Sequence, residues 1–185
     1  PASPANRRGF VIGDTIMAAP GNPAQRLAYE GKVRHFWVAD LDNPAAPTVA
    51  ELTDEYDAFD FSRYVPKDGV SGDPVENFID STDITETFDA QQVGSWGEQI
   101  TFQMYKQYPD DNAFEYWSYG DVGYFVSLWA ADGDSPKDGD PCYVRQLEVH
   151  QPKPLPHSPN QKQRFTMATT NITEPIYTAT VVAGS

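Results

Sequence analysis

Cysteine is almost missing from this sequence. Cys142 is the only one in 185 residues, which excludes an internal disulfide framework and fits a product made in the cytoplasm. It follows the turn residues Asp140 and Pro141, and nothing nearby in sequence would lower its pKa, so it reads as a small apolar strand residue. Histidine is scarce too. With only His35, His150 and His157, a catalytic or zinc constellation would need nearly all of them to converge. Thirteen Lys and Arg stand against 27 Asp and Glu, a net charge of −14. A protein that reads nucleic-acid sequence needs a basic face to neutralise phosphates, and this composition disfavours one. There is no run of 18 apolar residues, so no membrane-spanning helix is expected. The opening PASPANRRGF carries no apolar stretch of the kind a signal peptide needs. GxSxG, Walker A, GxGxxG, HExxH and CxxC patterns are all missing, and with them the commonest signatures of hydrolytic, nucleotide, metal and redox chemistry.

What is present is enough to fold. Hydrophobic residues make up 39% of the chain and aromatics 13%, including four Trp, ten Tyr and ten Phe. A length of 185 residues suits one domain, or one domain with an arm. Residues 97–108 (GEQITFQMYKQY) alternate, with Ile100, Phe102 and Met104 on one side and Thr101, Gln103 and Tyr105 on the other. That period of two predicts a strand with one face on a core. Pro109 ends it, and Asp111 or Asn112 can cap a short helix over 113–119, with Gly120 in the left-handed position behind it. A strand over 124–130 (YFVSLWA) has so few polar residues that burial on both faces is expected.

Taken from the start, residues 1–31 read as an N-terminal arm, punctuated by Pro and Gly, with one apolar patch at Phe10, Val11 and Ile12 and with basic Arg7, Arg8 and Arg26. Residues 32–40 (KVRHFWVAD) form the first strand. Thr48 and Glu51 have capping-box spacing at the start of a short helix. A strand over 56–65 is anchored by Phe59, Phe61 and Tyr64, and 66–74 (PKDGVSGDP) reads as a loop because it is dense in turn residues. Another extended stretch is expected within 75–89. Residues 143–150 (YVRQLEVH) alternate again, a connection rich in proline follows, and 163–173 and 176–182 close the chain as strands. Seven to nine strands and two short helices predict a mainly β fold, a sandwich or barrel-like domain over residues 32–185.

Two chemical readings tempt. Asp132, Asp134, Asp138 and Asp140 fall at DxDxxxDxD spacing, which offers oxygens to a cation such as Ca²⁺. Pro136 and Lys137 break the EF-hand pattern, and Asp with Gly also makes ordinary hairpin turns. The aromatic wealth would suit a sugar-binding β-sandwich, and paired carboxylates a glycosidase, although no spacing singles out one pair.

Five runs then carry a likeness: VRHFWVAD from Val33, NPAAPTVAEL from Asn43, IDSTD from Ile79, ITFQMYK from Ile100 and IYTATVVA from Ile176. In order and texture they resemble the major tail, or tail tube, proteins of long non-contractile-tailed bacteriophages, over residues 32–183. The resemblance implies a β-sandwich or barrel-like subunit with a flanking helix, which closes into hexameric rings stacked as a tube. Its partners are then other copies of itself, a tape-measure protein, a tail terminator and tail-tip proteins, with DNA passing through without sequence-specific binding. It implies no enzymatic activity, cofactor, metal or membrane, and a place in the virion tail after assembly in the host cytoplasm. Contacts between rings are expected from the loop residues Val65, Pro66, Lys67, Asp68, Val70 and Asp73, and from Phe10 and Arg26 of the arm. An acidic wall suits a conduit, because like charge gives a sliding phosphate backbone nothing to bind.

Overall fold

Two apolar faces, one on each side of an antiparallel sheet, organise the molecule. The computed structural model describes residues 31–53, 58–80, 91–107, 112–131, 135–157 and 159–184. Within them run β1 (Arg34–Val38), α1 (Val49–Thr53), β2 (Ala58–Asp60), β3 (Val70–Asp80), β4 (Gln91–Tyr105), α2 (Asn112–Tyr116), β5 (Val122–Leu128), β6 (Pro141–Val149), β7 (Lys153–Pro154), β8 (Arg164–Asn171) and β9 (Ile176–Thr180). The strand order is β2-β1-β5-β6-β8-β4-β3, with β7 pairing β8 and β9 pairing β6. Strand β6 is shared: Pro141–Val144 pairs with β9, whereas Leu147–Val149 pairs with β8.

Alternation assigns the faces. Trp37, Phe125, Leu147, Val149, Ile100, Phe102, Met104, Phe165 and Met167 point into a first core. The neighbouring positions Phe36, Val38, Val126, Leu128, Cys142 and Val144 point into a second, closed by Leu41, by Leu52 of α1, and by Ala179 and Val181. The middle of the sheet is therefore buried on both sides, as the sparse polarity of 124–130 predicts. Across the first core β4 meets β5, with the Phe102 and Phe125 rings edge to face at 4.9 Å. Phe61, fully buried, fits against both at 5.7 and 5.9 Å. The segment that carries it laces the two halves together. The Phe61 N–H donates to the His35 carbonyl (3.1 Å), while the Tyr64 and Gly69 carbonyls accept from the Tyr105 and Gln103 N–H groups (2.8 and 2.6 Å). One folded sheet thus makes a mainly β, sandwich-like body with two short helices.

The capping box forms as its spacing predicts. The Glu51 N–H donates to Thr48 Oγ1 (3.2 Å), and Glu51 Oε2 accepts from the Thr48 N–H (2.7 Å). Glu51 Oε1 also accepts from the Asp42 N–H (2.9 Å), so one carboxylate ties the approach to the helix as well as its first turn. The end of the chain is fastened to the same place, where the Val49 N–H donates to the Val182 carbonyl and the Val182 N–H to that of Pro47, both at 2.9 Å.

Three local expectations need correction. Residues 66–74 are not one loop: a turn at 66–69 leads straight into β3, which runs through Gly72 and Pro74. Proline is tolerated there because β3 is an edge strand, with β4 as its partner on one side and no described strand on the other. Helix α2 ends at Tyr116, before the expected 119. Trp117 leaves the helix to enter the first core, edge-on to Trp37 at 6.1 Å, and a turn held by Asp121 takes over. Gly120 is left-handed (φ 86°) in that turn, not at the helix end. Of the strand expected over 56–65, Tyr56 and Asp57 lie outside the described residues, and of the rest only Ala58–Asp60 forms β2. The proline-rich connection also supplies a short strand. β7 lies in register with Thr166 and Phe165, and the Leu155 N–H donates to the Arg164 carbonyl (2.9 Å).

Candidate assembly surface

The longest strands pair furthest from the body. β4 is held by β8 only from Gln99 to Tyr105. Back toward Gln91 its one partner among the described strands is β3, so β3 and the first half of β4 form a two-stranded ribbon that leaves the sandwich. Every described side chain of β3 after Val70 is exposed. The sequence builds this ribbon from residues suited to strands, with a kink. Gly94 and Ser95 lie opposite Asn77 alone, where the register shifts between Glu76 and Phe78. A Cβ at Gly94 would come within 2.7 Å of the Asn77 carbonyl oxygen, so only glycine fits this bulge without movement.

The ribbon carries apolar bulk that the described residues do not cover. Val75 (48%), Phe78 (55%), Ile79 (56%) and Trp96 (51%) are each about half exposed. Isolated exposed apolar residues are ordinary, but four large ones on a projecting ribbon mark a contact surface. Acids lie among them, at Asp73, Glu76 and Asp80.

A charged clamp sits where the ribbon joins the body. The Arg145 guanidinium donates to both Glu98 oxygens, at 2.8 and 3.2 Å, and the Tyr177 hydroxyl donates to Glu98 at 3.2 Å. Arg145 also lies over the Tyr177 ring at 5.2 Å. Burial by itself would raise the Glu98 carboxyl; the Arg145 hydrogen bonds and charge, with Tyr177, outweigh it and hold the group below the usual glutamate range. Burial and the Glu98 charge raise the Tyr177 phenol in turn. The pair spans from β4 to β6 at the root of the ribbon.

The residues expected to make contacts between rings fall into three groups. Val65 and Val70 pack partly buried against the first core, and Pro66 is buried, its carbonyl accepting from the Gly69 N–H (2.8 Å). Lys67 and Asp68 are exposed, Asp68 standing 3.7 Å from Arg164, and Asp73 lies at the root of the ribbon. Phe10 and Arg26 lie outside the described residues. The apolar ribbon positions were missed by sequence reasoning. Their signal was the recurrence of large apolar residues between acids in a stretch without a base, but strand residues of this kind are usually buried, and exposure depends on which strands become neighbours.

The other chemical readings gain little. Among the described residues no three His, Cys, Asp or Glu side chains gather as a metal site. Asp132 and Asp134 lie outside them, and Asp140 accepts from the Lys137 N–H (2.9 Å) in a turn with Gly139 left-handed. His35 is packed between Phe61 and Phe125, with Nδ1 3.1 Å from Ser127 Oγ, while His150 pairs with Thr170 and His157 is exposed. None of the described helices is long and apolar enough to cross a membrane.

Fold and surface together define a class: a mainly β subunit with an open strand edge and a projecting, partly apolar ribbon. The chain belongs to the phage tail tube protein family, whose sequence profile matches residues 22–185. The match begins inside the segment that reads as an arm. No individually characterised protein matches the chain. It is therefore a structural protein of the bacteriophage virion, a component of the tail, and its family implies self-assembly with other tail components.

Proposed function

We propose that this subunit closes into hexameric rings, that the rings stack into the tail tube, and that the tube is an acidic conduit through which DNA leaves the capsid. The observation that carries this reading is the uncovered ribbon with Val75, Phe78, Ile79 and Trp96. Open edges and exposed apolar strands are a liability for a protein that stays alone, and pairing with neighbours in a closed ring removes it. Growth around a tape-measure protein, between tail-tip proteins and a tail terminator, would set the length. Val65, Pro66, Lys67, Asp68, Val70 and Asp73, with Phe10 and Arg26, contribute to the contact between rings. The net charge of −14 supports passage of a polyanion that must not stick.

The test is negative-stain electron microscopy of the purified protein over a concentration series, with native mass spectrometry of the rings. Hollow tubes of uniform width with sixfold symmetry are expected. Replacing Phe78 and Trp96 by Ser should leave the circular dichroism unchanged and raise the concentration needed for assembly by about tenfold or more, since buried aromatic anchors dominate interfaces. A protein that stayed monomeric at every concentration and salt, also with tail-tip components added, would defeat the proposal. So would a ring of another symmetry, for the hexamer.

A further inference from the structure

The ribbon has a complement on the same molecule. From Asp68 to Tyr105 the sequence holds eight acids, Asp68, Asp73, Glu76, Asp80, Asp83, Glu86, Asp89 and Glu98, and no Lys, Arg or His. The bases gather at the opposite end of the same hairpin. Lys162 and Arg164 both lie over the Tyr105 ring, at 5.2 and 5.3 Å. The Lys106 N–H donates to the Gln163 carbonyl (2.9 Å), which places Lys106 beside them. Lys153 stands in register with Thr166 one strand away, and Thr166 with Gln103, so Lys153 shares the outer face of β8 and β4 with Tyr105 and Arg164. On this face a groove of about 290 Å³ is lined by Gln103, Leu155, Pro156, Gln161, Lys162 and Arg164.

We propose that this basic groove, beside Tyr105, receives the acidic ribbon of a second copy of the chain, head to tail. The inference rests on the tube reading and names the acceptor surface it needs. Three features select the occupant. A chain of net charge −14 repels its own copies on average, so attraction must come from a local match of opposite signs, which the groove and the described ribbon acids Asp73, Glu76 and Asp80 offer. They lie at opposite ends of one hairpin, so a copy docked by one end presents the other, which gives a heterologous contact that repeats. The ribbon also brings Phe78 and Trp96, which share one face by register, to a groove lined by Leu155 and Pro156, so apolar burial accompanies the charge match. A nucleic acid is the competing occupant. A duplex backbone offers no apolar side chains to Leu155 and Pro156, which makes it the poorer fit.

Lys153 and Lys162 are exposed, as are Asp73 and Glu76, so reversing them should not disturb folding. The Lys153→Glu/Lys162→Glu variant is expected to need about tenfold or more protein to assemble than wild type, because like charges then face each other. Asp73→Lys/Glu76→Lys should fail in the same way. A chain carrying all four changes should assemble again, since the signs match once more. In parallel, Ser95→Cys and Gln161→Cys copies, each with Cys142→Ala, are mixed at several concentrations with a short bismaleimide. A cross-linked heterodimer supports the proposal whether or not tubes have formed. Wild-type tubes without a specific cross-link, or groove variants that assemble normally, overturn the docking and leave the tube reading intact. Absence of both tubes and cross-link overturns both. Binding of a duplex DNA oligonucleotide that the two lysine changes abolish, without effect on assembly, would assign the groove to nucleic acid.

Discussion

Burial decides the protonation of His35. Packed between Phe61 and Phe125, the imidazole has its pKa pushed down to about 4 by loss of solvent, with Asp60 opposing the shift and Arg145 adding to it. In the unfolded chain it protonates near 6.5. The sign follows: between these values the unfolded chain binds the proton and the folded one does not. This contribution is fully present above about pH 6.5 and is lost as pH falls toward 4, up to about 3 kcal/mol. Urea midpoints measured from pH 7 to 4.5 should fall for wild type and fall less steeply for His35→Gln. An equal slope in the two would show that carboxylates alone cause the acid sensitivity. Glu98 acts in a lower window. Its pKa is depressed, so what it contributes is present above about pH 4.3 and disappears only below, through its folded value. Cys142 is the simplest residue to check. Burial, with Asp140 nearby, pushes its thiol up to about 12, so a disulfide reagent at pH 8 should react only after denaturant is added. Reaction with the native protein at the rate of a free thiol would contradict that burial.

At the scale of single elements, helix α1 and the approach of β5 to β1 give separable costs. Thr48→Ala removes the oxygen that caps α1 and should destabilise the protein by about 1 kcal/mol in equilibrium unfolding. Gly123 lies flat against Trp37, and a Cβ there would come within 2.7 Å of the indole ring. Gly123→Ala should therefore cost about 1–3 kcal/mol by overpacking, more than the cap. A neutral result would mean that Trp37 has room to shift. These elements also show what sequence could deliver. The alternation of Ile100, Phe102 and Met104 and the Thr48–Glu51 spacing were legible because each depends on local geometry alone. Trp117 was not, because its pull toward Trp37 and Phe61 comes from partners distant in sequence and shortens a helix that local rules would extend. The strand through Gly72 and Pro74 was hidden for a similar reason. Turn residues announce a turn until an edge position makes a missing N–H harmless.

For the molecule as a whole, the family-like order of strands could be read from texture, and the ribbon could not. Nothing in the sequence around Ile79 says that β3, which ends at Asp80, has a described neighbour on one side only; that follows from its last place in the strand order. Charge connects this shape to assembly. Copies that each carry −14 repel over a distance set by salt, about 30 Å at 0.01 M, 8 Å at 0.15 M and 3 Å at 1 M. The contact of ribbon with groove brings opposite charges within a few ångströms, inside the screening length at 0.15 M and outside it at 1 M. Raising salt from 0.01 to 0.15 M should therefore speed assembly, followed by light scattering, by removing the long-range repulsion while sparing the close pairs. Toward 1 M those pairs weaken, leaving the exposed apolar residues Val75, Phe78, Ile79 and Trp96 to act against a smaller residual repulsion, and the gain should stop or reverse. The Lys153→Glu/Lys162→Glu variant has lost the close attraction, so its assembly should rise with salt throughout. A wild-type rate that falls steadily from the lowest salt would mean that attraction dominates even at long range, and the balance argued from net charge would be wrong.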